Sequence, residues 1–264
     1  MLSKKNDGEG QVLTFFSTAS AVGKTVLGIN FAAALAERGY KVCLADFDLQ
    51  FGDVCNYLSL APTQTLYNYS EMNEAVRDAA EFVTPTEFGF DVFAAPKELD
   101  EAFIMNAEIV TGAVNQLREA YDYVILDTTT GFSAINLALL EQTDVLYLPC
   151  VVDFIPSIKN LKVGLDTLHK LQFDWQRVRL ILNRNKAETQ ISVKDVEALL
   201  GRPFQYFISN DYKGVMASIR EGRPVVLTDK DSRLADEISN IISSEQGEQE
   251  ESGGLSKWFS GLWK

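Results

Sequence analysis

Near-continuous apolar runs of strand length alternate with helix-like stretches along most of this chain, and that alternation leaves few folds open. Val12-Leu13-Thr14-Phe15-Phe16 is the first such run; KVCLADFD, Phe90-Asp91-Val92-Phe93, YDYVILD, DVLYLPCVV, VRLILNR and FQYFIS follow. Between them lie VLGINFAAALAERGY, a segment ending in NQLREA, SAINLALLEQ and IKNLKVGLDTLHKLQ. In the first of these, apolar residues recur at three and four positions and Gly39 stands where a helix stops. Strands that are apolar on both faces need helices on both sides, and strand–helix–strand connections give parallel pairing. The expected fold is therefore α/β, a doubly wound, mostly parallel sheet flanked by helices. At 264 residues, 46% of them apolar, the chain can bury one such core. No internal repeat or second core is visible.

Charge and cysteine use narrow the function classes. Twenty-four basic against 37 acidic residues give −13, with no Lys/Arg block, so nucleic acid is not an expected partner. Cys43, Cys55 and Cys150 are far apart and lack metal-ligand spacing, as expected of reduced, mostly buried thiols. The first residues, MLSKKNDGEG, are polar where a signal peptide is apolar, and no run reaches the ~18 apolar residues of a spanning helix. A cytoplasmic protein is expected.

The loop STASAVGKT joins the first strand to the first helix. In that setting Gly23-Lys24-Thr25 has the grammar of a Walker A loop. Gly23 frees backbone N–H groups to face an anion at a helix amino terminus. Lys24 would reach the β- and γ-phosphates of ATP, and the Thr25 hydroxyl would ligate Mg²⁺. Thr18 stands where that pattern usually has its first glycine, and the tripeptide alone also suits a plain turn with a solvated lysine. Asp46 and Asp48, two apart at the end of the second strand, share a side on which a metal-bound phosphate would lie. They fit a helix cap or loop start equally well. Asp127 closes YDYVILD as a Walker B carboxylate would, and Thr128, Thr129, Thr130 and Gly131 are expected to form a hydroxyl-bearing loop with a flexible hinge.

These motifs, in this order, resemble the MinD/ParA family of deviant Walker-type ATPases from about Gln11 onward. Asp46–Val54, Leu180–Arg184, Ile208–Asp211 and Glu221–Pro224 are similar to its CpaE/TadZ pilus-assembly branch. The resemblance implies a P-loop fold of the MinD-like (SIMIBI) kind and an ATP-sandwich homodimer whose formation and hydrolysis switch membrane and partner binding. By position, Ala21, Val22, Gly23, Lys24, Thr25, Val26, Asn183 and Asn210 would bind the nucleotide, Asn183 by a hydrogen bond to the adenine edge. Thr25, Asp46 and Asp127 would hold Mg²⁺, and Asp48, with Lys24, would be catalytic. Asn183 also suits a turn cap at a strand end. The family loop is KGGxGK[ST]; here Ala19 replaces its signature lysine, and Ser20 and Ala21 replace two glycines. Nucleotide binding is therefore expected to survive better than turnover, and a non-hydrolysing localisation scaffold is the alternative to a weak ATPase. A division-site positioning ATPase of the MinD kind is another, whereas a DNA-segregating ATPase is disfavoured by the charge.

From Ser243, SSEQGEQEESGG carries four glutamates and no apolar side chain, so residues 1–242 are expected to form the ATPase domain and 243–254 an acidic linker. Residues 255–264, LSKWFSGLWK, place Leu255, Trp258, Phe259, Leu262 and Trp263 on one helical face and Lys257 and Lys264 opposite. Such a helix suits a lipid interface, although packing on its own domain or on a partner remains open. The expected arrangement is peripheral, at the inner face of the cell membrane, with an unidentified activator or a pilus or secretion protein as partner.

Overall fold

The computed structural model describes residues 9–185 and 191–247. The elements run β1 (Gln11–Ser17), α1 (Lys24–Glu37), β2 (Val42–Phe47), α2 (Val54–Tyr57), α3 (Leu66–Glu71), β3 (Thr84–Pro85), β4 (Asp91–Phe93) and α4 (Leu99–Phe103). They continue α5 (Ala107–Ala120), β5 (Tyr123–Thr130), α6 (Ala134–Gln142), β6 (Val145–Cys150), α7 (Ile155–Lys170), β7 (Val178–Asn185) and α8 (Val193–Leu200). β8 (Tyr206–Ser209), α9 (Tyr212–Glu221), α10 (Val225–Thr228) and α11 (Arg233–Gln246) complete the described chain.

The strands form one sheet in the order β3-β4-β2-β5-β1-β6-β7-β8. All neighbours are parallel except β3, a two-residue edge strand antiparallel to β4. The expected fold class is therefore found. Side chains alternate across the sheet as the two-residue period requires. Leu13, Phe15, Leu44, Ile125, Tyr147 and Ile181 face α1, α10 and α11. Val12, Cys43, Val124 and Leu126 face α3 and α5, while Leu146, Leu148, Leu180 and Leu182 face α7 and α8. Phe15, Phe31 and Tyr147 meet at ring-centroid distances of 5.1–5.2 Å in the middle of the first core.

α1 differs from the one-faced helix suggested by its periodicity, because Leu27 to Leu35 are buried on every side. The reason is a third layer. Asn30 in α1 receives the backbone N–H of Val226 in α10 (3.0 Å) and itself donates to Val26 O. α11 also packs over α1, with Arg38 donating to Ser239. A helix buried all round has no polar face to show in its sequence.

The expected linker boundary at Ser243 is corrected. Residues 243–246 are the last turn of α11, closed by Gly247 in the left-handed region (φ 76°). Glu245, counted in sequence among the solvated glutamates, is buried and bonded to Arg179 and to the Tyr206 hydroxyl. The remainder of the expected linker and the expected helix at 255–264 lie outside the described residues.

Candidate nucleotide site

β1 sits between β5 and β6, where the direction of strand order reverses, and parallel sheets leave a crevice at the carboxyl ends of the strands at that point. The loop from Thr18 to Gly23 occupies it. Gly23 takes φ 93°, ψ 24°, and a Cβ there would collide with Nδ2 of Asn183. Only glycine suits both the dihedral and the space. α1 then starts at Lys24 with no side-chain cap and no acidic residue in its first turn. Fourteen residues of aligned peptides thus begin at open N–H groups, the arrangement that attracts an anion.

Lys24 lies along this loop, its Nζ donating to Ser17 Oγ (3.2 Å) and to Thr130 Oγ1 (3.4 Å). Thr25 Oγ1 donates to Asp127 Oδ2 at 2.6 Å. Asp127 is buried, and its other oxygen, Oδ1, has no hydrogen-bond partner in the protein. Burial raises its pKa to about 6, against the bond from Thr25 and the field of Lys24. An orphaned carboxylate oxygen beside a hydroxyl and an open helix terminus fits a hydrated Mg²⁺ carried by a phosphate. No group of three or more potential metal-binding His, Cys, Asp or Glu side chains is found among the described residues. A single carboxylate suffices for a magnesium ion that arrives with its nucleotide.

Asp46 pairs with Asp127 in the β2–β5 register, and each of its oxygens accepts a backbone N–H. Oδ1 accepts the N–H of Asp48 (3.1 Å) and Oδ2 that of Val54 (3.2 Å). Gly52 lies so close that a Cβ would stand 2.6 Å from Oδ2. Asp46 thus closes the turn after β2, and burial followed by the charge of Asp127 pushes its pKa well up. Asp48 is half-buried; burial raises its pKa while Lys24 draws it back. That places Asp48 within the electrostatic reach of the loop lysine, whereas Asp46 holds the backbone.

The expected hydroxyl loop after Asp127 is instead strand, β5 continuing through Thr130. Asn136 of α6 ties its end by donating to Thr129 O, Thr129 Oγ1 and Gly131 O at 2.6–3.2 Å. Gly131 does take a positive φ, 89°, but its carbonyl is anchored by that amide.

On the far side of the loop a cleft of about 190 Å³ is lined by Gly23, Val26, Asn183, Arg184, Asn210 and Met216, among others. Of the residues expected to bind the nucleotide, Gly23, Val26, Asn183 and Asn210 are thus brought together. Asn183 is buried, with Nδ2 donating to Val22 O (2.8 Å). Ala19 is buried too, against Val22 and Val151, so the position of the signature lysine is filled by packing. A larger groove of about 370 Å³ lies apart from this chemistry, between α7 and α8, with an almost wholly apolar lining.

Sequence reasoning passed over Ser17, Asn136 and Arg184. Ser17 Oγ donates to Ala19 O (2.8 Å), besides receiving Lys24. Arg184 donates to Ala21 O (2.8 Å). A small polar residue ending the first strand was the available sign of Ser17; nothing local marks the other two.

A mostly parallel doubly wound sheet, a GKT loop opening an uncapped helix and an aspartate within the neighbouring strand β5 bonded to the threonine define a P-loop protein of the Walker type. The sequence profile of the AAA domain family AAA_31 matches residues 10–176, and the chain belongs to that family, within the MinD/ParA group of Walker-type ATPases. It is 27% identical over 267 aligned residues to the septum site-determining protein MinD of Helicobacter pylori, covering 95% of this chain and 97% of that protein. The fold matches that of a ParA family ATPase from Chlorobium tepidum, with TM-score 0.80 and 22% identity over 88% of this chain and 98% of the other. It also matches Pyrococcus horikoshii MinD, solved with Mg-ADP, with TM-score 0.76 and 19% identity over 89% and 96%.

Proposed function

We propose that this chain is an ATP-dependent positioning ATPase of the MinD kind, binding Mg-ATP at the Thr18–Thr25 loop and working at a membrane surface as a homodimer. The observation that carries the reading is the Thr25–Asp127 bond with the orphaned Asp127 oxygen beside it, at the mouth of an uncapped helix. Lys24 exchanges its weak bonds to Ser17 and Thr130 for the β- and γ-phosphates. Thr25 and Asp127 hold the metal side of the triphosphate, and a bound magnesium ion supplies charge neutralisation there. Asp48 orients the attacking water, and the cleft beside Asn183 and Asn210 takes the nucleoside.

Dimerisation is supported by apolar side chains on the same sheet edge as the loop. Phe51, Phe154, Ile155 and Tyr212 are exposed in the segments that follow β2, β6 and β8. The reported relatives are MinD and ParA proteins, which favours a MinD-type positioning role over the pilus-assembly role expected from the Asp46–Val54 and Leu180–Arg184 segments. Ala19 favours a second reading, a scaffold that binds ATP with little turnover, because no charge at that position reaches toward a partner's phosphates.

Titration calorimetry with Mg-ATP tests the binding site: heat is expected from the wild type and none from Lys24→Ala. Equal heats from both proteins would remove the proposal. Phosphate release by the wild type then separates ATPase from scaffold.

A further inference from the structure

The phosphate loop lacks two of the glycines that normally let such a loop turn its N–H groups toward phosphate, yet its backbone is turned all the same. Ala21 sits at φ 58°, in the left-handed region that a Cβ disfavours. What holds it is the end of β7. Asn183 Nδ2 donates to Val22 O (2.8 Å), Asn183 Oδ1 accepts the N–H of Arg184 (2.9 Å), and an Arg184 guanidinium nitrogen donates to Ala21 O (2.8 Å). Arg184 itself takes φ 53°, so the backbone at the strand end bends to present both side chains to the loop.

We propose that Asn183 and Arg184 are positioning residues that lock the peptide orientation of the phosphate loop, replacing conformational freedom lost with the glycines. In a trans peptide the C=O and the following N–H point in opposite directions. Drawing the carbonyls of Ala21 and Val22 toward β7 therefore aims the N–H groups of Val22 and Gly23 away from it. Gly23 completes the device, since only a residue without Cβ leaves room for the Asn183 amide. Ser17 acts in the same sense on the Ala19 carbonyl. The Asn183 amide, engaged through both Nδ2 and Oδ1, acts on the nucleotide through the loop. Arg184 is exposed, and its bond carries a full positive charge against a carbonyl, the stronger kind of hydrogen bond.

The inference rests on the nucleotide reading above, and the experiment separates the two. Mg-ATP and Mg-ADP are titrated into the full chain as wild type, Arg184→Ala, Ala21→Gly and the double variant. Arg184→Ala is expected to weaken both nucleotides by about tenfold, the worth of one charge-assisted bond in a partly exposed setting. The double variant is expected to recover most of that loss, because glycine at 21 no longer needs holding. Unchanged affinity in Arg184→Ala, or a double variant as weak as the single one, overturns the proposal. A loss confined to ATP does so too, since it would mean direct contact with the γ-phosphate. Amide hydrogen exchange of the nucleotide-free chain gives a second readout, with faster exchange at Val22 and Gly23 expected in Arg184→Ala. Absence of heat from the wild type would end the nucleotide reading, and the clamp would then stand or fall on exchange alone.

Discussion

Asp127 carries two opposed demands. It is a buried carboxylate with one oxygen unpartnered in the protein, and burial raises its pKa to about 6 from an ordinary value of 3.8. A raised carboxyl pKa means the folded chain holds its proton longer than the unfolded one, so this group costs stability as pH rises from about 4 to about 6 and the cost persists above. Asp127→Asn should therefore raise the melting temperature of the nucleotide-free protein at pH 7.5 by about 2–4 °C, an advantage that disappears below pH 4. The same substitution should abolish the extra stabilisation that Mg²⁺ gives in the presence of ATP. In the wild type, Mg-dependent nucleotide affinity should fall as pH drops below about 6, because the metal needs the ionised form. Thermal melts across pH, with and without Mg-ATP, check all three. The residues of this site were partly legible. GKT after a strand and Asp after YDYVIL stand out in local pattern, and the fold brings Thr25 and Asp127 into hydrogen-bond contact at the start of α1. The period of two that pairs Asp46 with Asp48 is blind to the backbone N–H groups the Asp46 carboxylate accepts.

At the scale of elements, the end of α11 shows how a buried ion pair can lie in what reads as a solvated segment. Glu245 faces Arg179 at the start of β7 and Tyr206 in β8. Burial opposes its ionisation, yet the bonds from Arg179 and Tyr206 prevail and hold its pKa below the ordinary 4.5. Its contribution is therefore present above pH 4.5 and is lost as pH falls through the lowered value. Glu245→Ala leaves the half-buried Arg179 guanidinium without its carboxylate. It should cost about 3 kcal/mol, lowering the melting temperature by about 6–12 °C. Truncation after Ile242 should destabilise at least as much, since it removes the last turn of α11, whereas truncation after Gly247 should melt as the full chain does. Indistinguishable melting of the two truncations would show that the pair adds nothing. The local composition SSEQGEQ is that of a linker; only the approach of β7 and β8 makes it helix.

For the whole molecule, fold and proposed action meet at one sheet edge. The phosphate loop, Asp48 and the exposed Phe51, Phe154 and Tyr212 all follow carboxyl ends of strands, with Asp127 inside β5 bonded to Thr25, so nucleotide and partner protomer would be read on a common surface. No helix among the described residues is long and apolar enough to cross a membrane. The proposed membrane association would rest on Leu255, Trp258, Phe259, Leu262 and Trp263, which lie outside the described residues. One such tail should bind weakly, whereas two on a dimer gain avidity of about 10²–10⁴. Vesicle co-sedimentation should thus rise when ATP is added and vanish when residues 255–264 are deleted. Equal binding with and without ATP would break the link between dimer and membrane.

Short-range physics was enough for the alternation of apolar strand and helix, the parallel sheet, and the loop with its lysine and threonine. Each of these is written in periods of two or three to four residues, or in a tripeptide. Tertiary structure alone decided that α1 is buried on every side, that Glu245 is an inside residue, and that Asn183 meets Val22 across 161 positions of chain. Those outcomes depend on which strands become neighbours. Strand order arises from the packing of the whole sheet, and no local window of sequence contains it.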